Sequence, residues 1–186
     1  PDWYIESCRR IEYMFPKGHA VAYVMMAMRI AYFKVHKPLA FYAAFLSRKA
    51  DDFDMEVMSK GVLAKQKLEE LSKEPKLDPK KKNEQSICEI VVELEARGIE
   101  LLPVDIYLSE GRKFKIEDGK IRIPLIGISG LGGAVIENIL KEREEAKFIS
   151  VEDLKRRTKM SQTVADKLKS IGAISSLSET NQISLF

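Results

Sequence analysis

The sequence predicts a mainly α-helical chain that carries one small β-hairpin. Two kinds of observation lead there. Apolar residues recur at helical spacing through most of the chain, as in "ICEIVVELEARG", where Ile87, Ile90, Val91 and Leu94 share one face and Gly98 closes the run. A single stretch, "FKIEDGKIRIP", instead alternates around Asp118-Gly119, a pair that tolerates the positive φ of a tight hairpin turn. At 186 residues with a net charge of +3, the chain can build a core, and its charge alone does not point to nucleic acid.

Taken in order, Pro16 bars helix just before it, and a helix is predicted from His19 to about His36. It is apolar nearly all round, so burial is expected. Lys37-Pro38 stops it, and Pro38 suits the first turn of a second helix, Leu39 to Ser47. The run "ADDFD" offers N-cap carboxylates to a third, in which Met55, Met58 and Val62 repeat at i, i+3 and i+7. The run "PKLDPKKKNE" reads as a loop. In the hairpin, pairing Glu117 with Lys120 sets Ile116 opposite Ile121 and Phe114 opposite Ile123, all on one face. No apolar run reaches the length of a membrane span, and "AVAYVMMAM" is followed by Arg29. Cys8 and Cys88 fit no metal or redox spacing and suit a reducing, cytoplasmic setting. No signal peptide is read, and an opening "PDWYIE" without Met is expected of a piece of something longer.

Two places carry chemistry. Tyr13, Lys17 and His19 surround a Pro-Lys-Gly turn at a predicted helix N-terminus, where unpaired N–H groups favour an anion. They fit a triphosphate-and-base site, but spacing alone favours a capped helix with His19 bonded to backbone and Tyr13 in the core. Farther on, "IGISGLGGAVIENILKEREE" has the form of a helix-hairpin-helix unit. Ile128 and Leu131 anchor it, and Ser129, Gly130, Gly132 and Gly133 leave backbone N–H groups open to a phosphate without reading bases. A second unit follows: Ser150 caps "VEDLKRR" with Asp153 in the capping-box position, and Ser161 caps "QTVADKLKSIGAI". Its hairpin, "RRTKMSQT", lacks glycine but carries Arg157, Lys159 and Ser161 as candidate DNA contacts beside Lys155 and Arg156. A basic cluster of this kind is also compatible with a solvated face. The chain ends "NQISLF", an apolar pair after a polar stretch that reads as a linker. Leu185 and Phe186 either fold back or fill a pocket on another protein.

The stretch "YMFPKGHAVAYVMMAMRIAYFKVHKPLAFYAAFLS" resembles the bacterial family C replicative polymerases, with their Phe-Pro-Lys-x-His-Ala and Lys-x-His-x-Pro-x-x-Phe-x-Ala-x-Leu-Ser segments at Phe15 to Ala20 and Lys34 to Ser47. The order of the remaining segments extends the resemblance over nearly the whole chain, to the PolC form, whose duplex-binding region is C-terminal. The resemblance implies a helical fingers segment over residues 1–75 and a connector of amphipathic helix plus β-hairpin over 76–125. A tandem helix-hairpin-helix domain over 126–174 and a flexible tail over 175–186 would follow. It places Tyr13, Lys17 and His19 by the incoming deoxynucleoside triphosphate. It makes Gln182, Ile183, Ser184, Leu185 and Phe186 a sliding-clamp motif. Partners so implied are duplex primer-template DNA, the incoming nucleotide, the clamp, and an upstream palm and fingers of the same polypeptide, with no membrane. The catalytic aspartates and their Mg2+ would lie in that palm, so no catalytic or metal residue is assigned here, and the segment alone is expected to be inactive. A non-catalytic clamp-associated repair module would explain residues 126–186 equally well, but not the first fifty.

Overall fold

The computed structural model describes residues 1–11 and 16–180. Two compact units form, one of Pro1–Pro38 and one that begins at Leu39. The boundaries expected near 75 and 125 therefore fall inside a single unit with one continuous core.

The first unit has a short helix α1 (Asp2–Arg9) and a long helix α2 (Lys17–His36). Helix α2 starts two residues earlier than the sequence predicts, with Lys17 in its first turn after Pro16. The expected burial is not found: Tyr23 is 69% and Met28 67% exposed, and no residue of α2 is buried. An all-round apolar surface asks for cover on every side, which the described residues do not provide.

The second unit opens on α3 (Pro38–Arg48), with Leu39 onward in its body. Tyr42 and Leu46 of α3 are wholly buried, and the Tyr42 hydroxyl donates to Glu93 Oε1 at 3.0 Å. Asp54 caps α4 (Met55–Met58) by accepting from the Glu56 N–H. The chain then breaks at Ser59-Lys60 before α5 (Gly61–Ser72). That break shifts the helical phase, so Val62, expected inward with Met55 and Met58, is 64% exposed. Helix α6 (Pro79–Ala96) begins inside the stretch read as a loop. Asp78 accepts from the Lys81 N–H and Pro79 fills the first turn, a start signal stronger than the lysine run that follows. Its Ile87, Val91 and Leu94 are buried as expected, Cys88 is buried with them, and Ile90 is only partly buried.

The β-hairpin forms in the expected register between β2 (Lys115–Glu117) and β3 (Lys120–Arg122), with Ile116 opposite Ile121 and Glu117 opposite Lys120. Asp118 and Gly119 have φ of 48° and 79°, both positive as a type I′ turn demands. A third strand, β1 (Leu101–Leu102), pairs parallel to β3 and makes β3 central. Ile121 and Ile123 are fully buried, while Ile116, on the edge strand, is 45% exposed. The inward face is thus carried by β3 and Phe114. Arg122 is buried across the hairpin, ion-paired to Glu117 and donating to Pro103 O at 2.9 Å. A short 3-10 turn (Leu125–Gly127) leads to α7 (Gly133–Glu145), α8 (Val151–Thr158) and α9 (Gln162–Ser170). Ile139, Leu154 and Leu168 are the fully buried contributions of α7, α8 and α9.

The two thiols differ in setting: Cys8 is exposed and Cys88 is buried. Burial, aided by the charge of Glu84, pushes the Cys88 thiol up to about 11. The thiolate is the reactive form. A disulfide reagent at pH 8 should therefore titrate one thiol at once and the second only on unfolding. Two equal rates would contradict the packing of α6.

A candidate duplex-DNA interface of two hairpins

The first hairpin runs Ile128-Ser129-Gly130-Leu131-Gly132 into α7. Ile128 and Leu131 are buried and pin it, while Ser129, Gly130, Gly132 and Gly133 are exposed. Gly130 has φ +88°, a conformation that side chains rarely adopt. Gly132 differs: it is extended at φ −70° and ψ 150°, and a Cβ built there would meet nothing within 4 Å, as at Gly133. Neither conformation nor internal packing calls for glycine at Gly132. Gly132 is the N-cap of α7 and makes no side-chain cap bond. Among the described hydrogen bonds the Gly130, Gly132 and Gly133 N–H groups donate to no protein acceptor. The helix start thus offers exposed donors and its positive dipole end.

The second hairpin follows the same path with different residues. Lys159, at φ 58°, stands where Gly130 does, buried Met160 where Leu131 does, and Ser161 where Gly132 does. The correspondence is visible in the backbone although glycine is missing. Ser161 Oγ accepts from the Val164 N–H at 3.4 Å, so the cap of α9 is supplied by the protein itself. Lys159 is exposed at the turn. Asn138 Nδ2 of α7 donates to Thr158 O at 3.1 Å and joins the two units.

Arg157 does not join this surface. Its guanidinium lies 4.7 Å from the Phe148 ring centre, pairs with Glu142 at 3.0 Å and donates to Ala146 O at 3.1 Å. The side chain is only 16% exposed, so the phosphate contact expected from sequence is replaced by an internal clamp between α7 and α8. Asp153 supports that clamp from a side chain 3% exposed. It accepts from Arg156 at 2.7 Å and from the Ile149 N–H at 3.3 Å, with Arg157 at 3.5 Å. Burial alone would raise its carboxyl, but these hydrogen bonds and the Arg157 charge outweigh it and hold the group below the ordinary value. Lys155 is bonded to Gln162 across the second hairpin.

In the first unit, Lys17 and His19 share the exposed first turn of α2, whose N-cap Pro16 makes no side-chain bond. The His19 ring meets Tyr23 edge-on at 4.9 Å. Tyr13 lies outside the described residues, as do Gln182, Ile183, Ser184, Leu185 and Phe186. Residues 175–180 are not the loose linker the composition suggests. Ser178 bridges to Ser150, and Val151 and Glu152 at the start of α8 donate to Ser178 O and Glu179 O. Asp51, Asp52 and Asp54 are also engaged: Asp51 with Arg112, Asp52 with Asn83 at 2.9 Å, and Asp54 as the α4 cap. Among the described residues no group of three or more His, Cys, Asp or Glu could hold a metal ion, and no helix is long and apolar enough to cross a membrane.

Sequence reasoning missed Lys167 of α9, whose ammonium donates to Ser129 O at 3.0 Å and pairs with Glu56 at 2.7 Å. One lysine in an amphipathic helix looks like any solvated charge, so no local signal marks it.

Comparison with known proteins agrees with this geometry. Residues 98–183 match the helix-hairpin-helix motif family. The whole chain is 51% identical to the PolC-type DNA polymerase III of Thermotoga petrophila, 50% to that of Clostridium perfringens and 46% to that of Bacillus subtilis. In each case 100% of this chain aligns with only 13 or 14% of the relative. The chain thus spans a small part of the length of the proteins it matches, and its similarity to PolC-type DNA polymerase III runs along all of its own length.

Proposed function

We propose that this chain is the duplex-holding and partner-binding segment of a replicative, DNA-directed DNA polymerase. The observation that carries this reading is Gly132. It has an ordinary φ, open space around its missing Cβ and an exposed N–H at the start of α7. Such a glycine is explained by what approaches from outside: a phosphate that needs the backbone bare. The first hairpin would hold a phosphate with N–H groups, and the second with the Lys159 ammonium and the Ser161 end of α9. None of these groups reads a base, which suits an enzyme that copies any sequence. Lys17 and His19, with Tyr13, would contribute to the pocket for the incoming deoxynucleoside triphosphate. Residues 182–186 would tether the sliding clamp. Mg2+ belongs to the parent polymerase. Its ligands would lie in a palm elsewhere in the polypeptide. The exposed face of α2 would be covered by that same upstream polypeptide. A repair-module reading accounts for the hairpins but not for similarity that runs through residues 1–97 as well.

Duplex affinity should fall with salt along a line of slope about −0.9 per phosphate neutralised, indifferent to sequence. Gly132→Val should weaken binding roughly tenfold or more while leaving the fold intact, since φ −70° suits valine and nothing surrounds the site. Fluorescence anisotropy with two unrelated duplexes across a salt series tests this. Unchanged affinity in the valine variant would remove the basis of the reading.

A further inference from the structure

Lys167 connects three elements at one nitrogen. Its ammonium is bonded to Ser129 O of the first hairpin at 3.0 Å and to Glu56 of α4 at 2.7 Å, and its own backbone belongs to α9, the helix that follows the second hairpin. The side chain is 24% exposed, so much of it is held against the protein. The Ser129 carbonyl and the Gly130 N–H belong to the same peptide unit. No cis peptide occurs among the described residues, so that unit is trans and its C=O and N–H point in opposite directions. Fixing the carbonyl on Lys167 therefore turns the Gly130 N–H away from the protein's own ammonium, at an exposed residue. Gly130 needs such a hold more than most residues, because glycine at φ +88° has no Cβ to limit its alternatives.

We propose that Lys167 is a positioning residue for duplex binding. It sets the orientation of the Gly130 peptide and couples the first hairpin to the helix of the second, so that both hairpins present their donors at the same time. It acts through the hairpin rather than on a phosphate, because its ammonium is already shared between a carbonyl and a carboxylate. The proposal rests on the duplex-binding reading above. Removal of Lys167 frees the Ser129 peptide to rotate, and the ordering cost then falls on the binding step.

The experiment is a double-mutant cycle on this chain between Lys167→Met and Gly132→Val, read as duplex affinity across a salt series. Lys167→Met should weaken binding roughly tenfold, the scale of one charge-assisted hydrogen bond, with a salt line parallel to that of the unaltered protein. Lys167→Arg should recover most of the loss. In the Gly132→Val background, Lys167→Met should cost little more, since the hairpin is already blocked. A slope shallower by about 0.9, with losses that add, would make Lys167 a phosphate ligand and overturn the proposal. Unchanged affinity for Lys167→Met would overturn it as well. A measurement without DNA separates this proposal from the functional reading: the Gly130 amide resonance should move in Lys167→Met. If it moves while no protein binds duplex, the functional reading fails and the positioning contact stands. If it stays fixed, the positioning role fails whatever the duplex does.

Discussion

Asp153→Ala should destabilise the second unit by about 3 kcal/mol, the cost of removing one partner from a buried charge cluster. The carboxylate is 3% exposed and receives Arg156, the Ile149 N–H and, at 3.5 Å, Arg157. Without it, a mostly buried Arg157 keeps Glu142, the Phe148 ring and backbone carbonyls, and the Ile149 N–H loses its acceptor. The same group confers a pH dependence of definite sign. Its folded carboxyl lies below the ordinary value, so its contribution is complete above the unfolded carboxyl pKa, about 3.9, and is lost as pH falls through the folded value. Urea unfolding at pH 7 should therefore separate the native protein clearly from Asp153→Ala, and the difference should narrow as pH falls below the unfolded carboxyl value. A variant within about 0.5 kcal/mol of the native protein at pH 7 would show that the cluster is incidental, as surface substitutions are.

Replacing both Leu185 and Phe186 by alanine should abolish clamp binding, weakening it roughly thirtyfold or more, as expected for two apolar anchors that supply most of a small contact. This follows from the proposed tethering role of residues 182–186. It is checked by titrating a bacterial sliding clamp with the native chain and the variant. Duplex affinity should stay the same in the variant, which separates the two binding activities. Equal clamp affinity for both proteins would assign the terminal pair some other role.

Much of the architecture was written in local pattern. Asp118-Gly119 announced a hairpin and its register, because a two-residue turn leaves one pairing that keeps Ile121 and Ile123 inward. The segment from Ile128 to Gly133 could be read as a tight hairpin because exposed glycines are interleaved with the apolar anchors Ile128 and Leu131. Other features depended on distant contacts. Strand β1 is two residues long, too short for any alternation, and exists only because β3 lies beside it. The start of α6 was hidden by three lysines in succession, although Asp78-Pro79 was the better guide. The apolar surface of α2 led to an expectation of burial, but a sequence pattern does not say which segment would supply the cover. Arg157 and Lys167 show the same limit for the site. Both are cations on basic helices, and only the fold assigns one to an internal clamp and the other to the Ser129 carbonyl, 38 residues away.

The pairing of Ser178 with Ser150 has a geometric consequence for whatever the last residues hold. With Glu179 bonded through its carbonyl to Glu152, only three residue steps separate a fixed point beside α8 from Gln182. A chain advances at most about 3.6 Å per residue, so that span is about 11 Å even when fully stretched. A clamp captured there would ride close to the start of α8, at the end of that helix away from the second hairpin, on a short leash instead of a long one. Its freedom to swing would be small, and the distance between clamp and duplex grip would be set largely by the fold.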